Sequence, residues 1–86
     1  MSIPGSLDPD LLRAFTYIAE EGSFTRAAER VGRTQPAVSM QVQRLEALLG
    51  QTLLLRSKGG AVQLTVHGQF LLEQAREMLA LNDRIW

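Results

Sequence analysis

Gly22, Gly32 and Gly50 divide the first fifty residues into three short segments, and each segment opens on a side chain suited to starting a helix. Asp8 precedes Pro9, Ser23 follows Gly22 directly, and Thr34 follows Gly32 closely, with Pro36 in the turn after it. Asp, Ser and Thr accept hydrogen bonds from the unpaired amides of a helix start. Proline is tolerated there because its missing N–H would have had no partner. Glycine just past the last turn ends the helix. The first half of the chain is therefore restricted to short helices joined by sharp turns.

Apolar spacing says which face of each helix is buried. Leu11, Leu12, Phe15, Ile18 and Ala19 recur at three and four residues, giving an amphipathic first helix. Phe24, Ala27, Ala28 and Val31 form the inner face of the second, where the two alanines are thin enough for helices to cross closely. Val38, Val42, Leu45 and Leu49 fall on one stripe of the third. Beyond Gly50 the texture changes. Leu53–Arg56 and Ala61–Leu64 are short and β-compatible, separated by Ser57-Lys58-Gly59-Gly60, which predicts a hairpin with a glycine-rich tip. Thr65 then caps a last helix that continues toward Trp86 without a stop signal. The fold expected is mainly α, a winged helix-turn-helix with a three-helix core, a two-stranded wing and a long C-terminal helix. Residues 1–7 read as a flexible lead-in, 8–64 as the winged domain and 65–86 as a linker and dimerisation helix.

Eighty-six residues make one small domain. Without cysteine, disulfides, thiolate metal sites and a cysteine nucleophile are excluded. The start MSIPGSLDPD has no basic or apolar run typical of a signal peptide, and no apolar stretch approaches the ~20 residues of a membrane span. A cytoplasmic protein without a membrane partner is expected. No nucleophile–base pair, metal-ligand spacing or phosphate loop can be assembled, so no enzyme activity and no cofactor are expected in this domain. His67, the only histidine, reads as a surface helix residue, and the adjacent Glu20 and Glu21 point in different directions on a helix.

The formal net charge is zero, but its distribution is uneven. Residues 23–58 carry six basic side chains against two acidic ones, a local net of +4. In a winged helix-turn-helix the helix after the turn enters the major groove of DNA. With Val38 facing inward, Pro36, Ser39, Met40, Gln43 and Ala47 point outward, and Gln35 lies at the helix start. Gln and Ser offer donors and acceptors to base edges, while Pro and Met can touch a thymine methyl. Arg33, Arg44, Arg56 and Lys58 are candidate phosphate contacts. Arg44 could instead pair with Glu46 or a neighbouring helix, and Arg26 and Arg30 could approach the backbone or merely solubilise the second helix. The last helix carries a wide apolar arc of Leu71, Leu72, Ala75, Met78, Leu79, Ile85 and Trp86. The series 71/78/85 and 72/79/86 each repeat at seven residues, as helix pairing requires. That arc keeps open an alternative, a helical protein-interaction module that does not bind DNA.

The run SFTRAAERVGRTQPAVSMQVQRLEALLG (23–50), with Leu54, Arg56, Leu64-Thr65 and Gly68 after it, resembles the N-terminal domain of the LysR-type transcriptional regulators. The similarity extends over about residues 9–82. It implies sequence-specific binding of double-stranded DNA by a bacterial regulator, as a homodimer on an interrupted inverted repeat. Gln35, Pro36, Ser39, Met40 and Gln43 would occupy the groove, and Ser23, Arg33, Thr34, Arg44, Arg56 and Lys58 would serve as phosphate or wing contacts. The last helix would pair two such domains. Family members are usually about three times longer, form higher homo-oligomers and take a small-molecule effector in a C-terminal domain that this chain lacks. The end at Trp86 inside a helix is expected of an isolated domain or a truncated chain. Three departures stand out. Met40 replaces a frequent basic or polar residue, and Leu55 replaces a frequent phenylalanine in a slot expected to be buried. The wing is one residue longer than is common, with Lys58 the nearest basic residue to its tip.

Overall fold

Asp8, Ser23 and Thr34 each cap a helix. Asp8 Oδ1 accepts from the Asp10 amide at 2.9 Å, Ser23 Oγ from Arg26 at 3.1 Å and Thr34 Oγ1 from Ala37 at 3.3 Å. Each cap stabilises its helix by roughly 1 kcal/mol. The computed structural model describes residues 8–57, 59 and 61–85, apart from the Ile85 side chain. The expected lead-in 1–7, Lys58, Gly60, the Ile85 side chain and Trp86 lie outside the described residues.

The elements in chain order are helices α1 (Pro9–Glu21), α2 (Phe24–Val31) and α3 (Gln35–Leu49), strands β1 (Leu54–Arg56) and β2 (Val62–Leu64), and helix α4 (Val66–Ile85). The turn between α2 and α3 hinges on Gly32, whose φ of 71° is left-handed and costs glycine nothing. Its amide donates to Glu29 O, and the Arg33 amide reaches back to Ala28 O at 2.9 Å, closing the end of α2. The chain can then restart at Thr34 in a new direction.

α1 lies at the centre, against α2, α3 and α4. Phe15 and Ile18 from α1, Ala27 from α2 and Val38 and Leu45 from α3 have no accessible surface, and Leu12 and Leu53 are almost as deep. Phe24, Val31 and Leu49, expected on inner faces, are half-buried at the rim of this core.

The hairpin is antiparallel, pairing Leu54 with Leu64, Leu55 with Gln63 and Arg56 with Val62. Each strand is one residue shorter than the sequence suggested. Leu53 is drawn out of the ladder because its amide donates to Glu46 Oε2 at 2.7 Å and its carbonyl accepts from the Thr65 amide at 3.0 Å. Alternation along β1 also corrects the reading of Leu55. Leu54 enters the core, so Leu55 must point the other way, and it is 53% exposed. By the same alternation Arg56 is turned to the side of Leu54, toward α2 and α3.

α4 starts where Thr65 Oγ1 donates to Thr52 O at 2.6 Å and accepts from the Gly68 amide at 3.0 Å. A Cβ on Gly68 would lie 2.1 Å from Leu53 O, so the first turn of α4 can approach β1 this closely only with glycine. Farther on, Leu72, Ala75 and Leu79 are buried in the chain's own core. This corrects the pairing face expected of them, because α1 already covers that side. Leu71 is half-buried at the border, and Val66, Phe70, Met78 and Leu81 form the exposed apolar side. Two ion pairs fasten the antiparallel α1 and α4, Arg13–Asp83 at 3.1 Å and Arg76–Glu20 at 3.5 Å.

Candidate nucleic-acid interface

The outer surface of α2, α3 and the wing gathers most of the predicted site residues. Gln35, Ser39 and Gln43 come from one flank of α3, Ser23 and Phe24 from the start of α2, and Arg56 from the end of β1. One open groove of about 240 Å³ runs along Phe24, Ser39, Gln43 and Arg56, and a second joins Ser23, Phe24, Gln35, Arg56 and Gly59. Arg56 and Phe24 border both. The Arg56 guanidinium lies over the Phe24 ring, 3.7 Å from its centroid, and donates to Ser39 Oγ at 3.2 Å. A planar cation on an aromatic face gains about 0.5–1 kcal/mol at an exposed site. The stack holds the wing against α2, the hydrogen bond holds it against α3, and the remaining guanidinium N–H groups can still serve an acceptor.

Pro36, Met40, Gln43 and Ala47 are exposed on α3 as expected, and Gln35 and Ser39 are half-buried beside the wing. Ser39 already accepts a hydrogen bond from Arg56, and its own hydroxyl hydrogen remains to be donated. Ser23 and Thr34 are helix caps, each occupied by one backbone amide. They stand where the unbonded N–H groups of α2 and α3 present partial positive charge, a favourable setting for an anionic group.

Of the five described arginines in the basic segment, Arg30 alone is held by carboxylates. It donates to Glu20 at 2.8 Å and Glu21 at 3.2 Å and covers the Tyr17 ring at 3.8 Å. The hydrogen bond it donates to Glu20 holds its pKa above the ordinary value. Arg30 thus joins α2 to α1. Arg26, Arg33, Arg44 and Arg56 are exposed, and no carboxylate pairs with any of them among the described residues. Arg44 does not pair with Glu46, whose Oε2 accepts from the amides of Leu53 and Leu54 instead. Lys58 lies outside the described residues.

Two residues of this surface were read only as packing or charge. Phe24 was placed on an inner face, yet its ring carries Arg56. Glu46 was weighed only as a partner for Arg44, yet it anchors the start of the wing. An aromatic residue at the first position of α2, where one side of the ring is necessarily open, was the available signal for Phe24.

The model of the family described as "Bacterial regulatory helix-turn-helix protein, lysR family" matches residues 9–69. The HTH-type transcriptional regulator DgdR of Burkholderia cepacia is 49% identical over 78 residues, which is 91% of this chain and 26% of that protein. The chain spans about a quarter of the length of the curated relatives it matches. Among solved structures, the CbnR DNA-binding domain in complex with DNA superimposes with a TM-score of 0.85 at 40% identity, covering 91% of this chain and 88% of that one. The BenM DNA-binding domain in complex with catB site 1 DNA gives 0.86 at 38% identity, covering 92% and 87%. With the family model spanning most of the chain and the helices, turn and wing in matching order, this protein belongs to the LysR family of bacterial regulatory helix-turn-helix proteins.

Proposed function

We propose that this chain is the DNA-binding module of a transcription regulator, inserting α3 into the major groove and laying the wing along the flanking backbone. The observation that carries the reading is the division of labour on one surface. The outward face of α3 offers Gln35, Ser39 and Gln43 with few charges, and Arg26, Arg33, Arg44 and Arg56 surround it without carboxylate partners. Uncharged donors and acceptors suit base edges, and unpaired guanidinium groups suit phosphates. The CbnR and BenM domains of the same fold were solved bound to DNA, which supports carrying the activity over.

The functional unit we infer is a homodimer, with two copies of α4 pairing through the apolar side that α1 leaves open. A two-fold protein then matches an interrupted inverted repeat, with half-site spacing set by α4 and the wings. Residues 8–64 act as the reading head and 65–86 as the pairing and linking helix. In a full-length regulator of the relatives' size, a small-molecule effector and higher assembly would belong to the remaining three quarters. No described helix is long and apolar enough to cross a membrane. Work on bacterial DNA is the ground on which we infer a cytoplasmic protein. The exposed side of α4 would equally serve a protein-interaction module, but such a module has no use for four arginines that lack carboxylate partners among the described residues and surround an uncharged face.

Binding to duplexes enriched from a random pool tests the proposal. Gln35→Ala should weaken the enriched sequence about tenfold while generic duplex binding stays within twofold, because a good side chain–base pair contributes ~1–3 kcal/mol of discrimination. An unchanged sequence preference would remove α3 from the groove, and absence of any retardation at low salt would leave the interaction module.

A further inference from the structure

Along α3 the polar residues and the apolar residues take different flanks. Counting about 100° per residue, Met40 falls almost opposite the direction shared by the buried Val38, Val42 and Leu45. It is the crest of the helix and is 66% exposed. Pro36 precedes it by one turn and Ala47 follows it by two, both exposed on the same crest. Gln35 and Ser39 lie to the side that faces Arg56 and the wing. On the other side a depression of about 220 Å³ is lined by Ala37, Met40, Gln41 and Arg44.

The side chain at this crest has no hydrogen to donate, and its thioether is a weak acceptor. It can therefore do little with the N7, O6, N6 or N4 positions of base edges. The apolar feature in the major groove is the C5-methyl of thymine. Methionine is unbranched, polarisable and free about three bonds, so it can follow a methyl whose position shifts with local DNA geometry. A lone exposed apolar side chain on a protein surface is ordinary. At the crest of a helix framed by unpaired arginines it is the point that reaches deepest into a bound duplex.

We propose that Met40 is a specificity-determining residue that packs on a thymine C5-methyl in each half-site. The inference rests on the reading that α3 enters the major groove, and it adds which base feature its crest selects. The discrimination is for the methyl group and not for the hydrogen-bonding pattern of the base pair.

The test uses the 86-residue chain and the duplex it enriches from a random pool, with thymines replaced singly by deoxyuridine, which removes the methyl and nothing else. One position per half-site should lose about fourfold in affinity, the value of one buried methyl-sized group. Met40→Ala, which alters an exposed side chain, should bind a duplex carrying deoxyuridine at that position in both half-sites as the unaltered protein does, and lose about fourfold per half-site on the thymine duplex. Cytosine against 5-methylcytosine at the same position should show a Met40-dependent gain of similar size. If no deoxyuridine replacement matters, or if Met40→Ala retains the same sensitivity, the inference is overturned while groove binding stands. If no duplex is enriched, the groove reading itself falls and takes this inference with it.

Discussion

The guanidinium of Arg56 lies over the Phe24 ring, 3.7 Å from its centre, and joins the end of β1 to the start of α2. Because Arg56 also donates to Ser39, the wing, the second helix and the third helix meet at one side chain. Charge and position should therefore be separable by substitution. Arg56→Ala should weaken binding to all duplexes and reduce the slope of log affinity against log salt by about 1. Arg56→Lys keeps the charge but loses the planar stack and the fork of donors. It should leave the salt slope unchanged and still lose several-fold in affinity. Phe24→Leu should resemble Arg56→Lys and not Arg56→Ala. Salt titrations of the three variants on one duplex would decide this, and an unchanged slope for Arg56→Ala would show that the residue only braces the wing.

Of the described glycines, Gly68 is the one packed against another part of the chain. Its position above the Leu53 carbonyl leaves no room for a side chain, since a Cβ would sit 2.1 Å from backbone oxygen. That oxygen accepts from the Thr65 amide and cannot retreat without breaking the start of α4. Gly68→Ala should destabilise the domain by about 3 kcal/mol, at the upper end of overpacking effects. Thermal or urea unfolding measures it. Alanine is the better helix former, so an unchanged or raised midpoint would mean that α4 shifts freely on the hairpin.

The pair between Arg13 and Asp83 makes the packing of α4 on α1 sensitive to acid. The hydrogen bond from Arg13 lowers the Asp83 pKa below its ordinary value of 3.8. A carboxyl group depressed in the folded state stabilises that state above its unfolded pKa. The contribution disappears as the pH falls through the lower folded value. Asp83→Asn should therefore lower the melting temperature slightly at pH 7 and match the unaltered protein once the pH has fallen below that depressed folded value. Asp83 is exposed and Arg13 only half-buried, so 1 M salt should also narrow the difference. A gap that persists in acid would assign the effect to packing of the Asn side chain.

The helices were legible because their signals are local. Caps, glycine stops and apolar spacing each act within one or two turns, and the ends of α1, α2 and α3 fall beside the residues that encode them. The outward face of α3 followed from the direction of Val38 alone. The wing was harder. Its two strands pair for only three residues each, and its start is set by Glu46, which holds the Leu53 amide from seven residues away. Nothing in the spacing of Glu46 distinguishes a carboxylate aimed at a backbone from one aimed at Arg44. Leu55 was misplaced for a related reason. In a run of three leucines, alternation cannot be phased until one of them is fixed, and the contact that fixes Leu54 comes from distant parts of the chain. The role of Phe24 needed the position of Arg56, which lies across the same unphased hairpin.

α4 presents two apolar sides, and the sequence alone could not divide its arc between them. The seven-residue series 72/79 points into the core with Ala75 between its members, so a charge there must be buried with no partner. Val66, Phe70, Met78 and Leu81 occupy the neighbouring third of the circumference and stand exposed among the described residues. If two copies pair through this second side, Phe70→Glu and Leu81→Glu should each yield a monomer that melts within about 1 kcal/mol of the unaltered protein, as surface substitutions do. Leu72→Glu should instead unfold the domain. Sedimentation gives the mass of each variant and circular dichroism its helix content. DNA binding supplies the link to function. A monomer engages one half-site, so Phe70→Glu should bind an isolated half-site normally and lose the added affinity that a second, tethered half-site confers on the dimer. Should the unaltered chain sediment as a monomer at high concentration with and without DNA, the pairing would have to come from outside these 86 residues, and the open side of α4 would belong to a different partner.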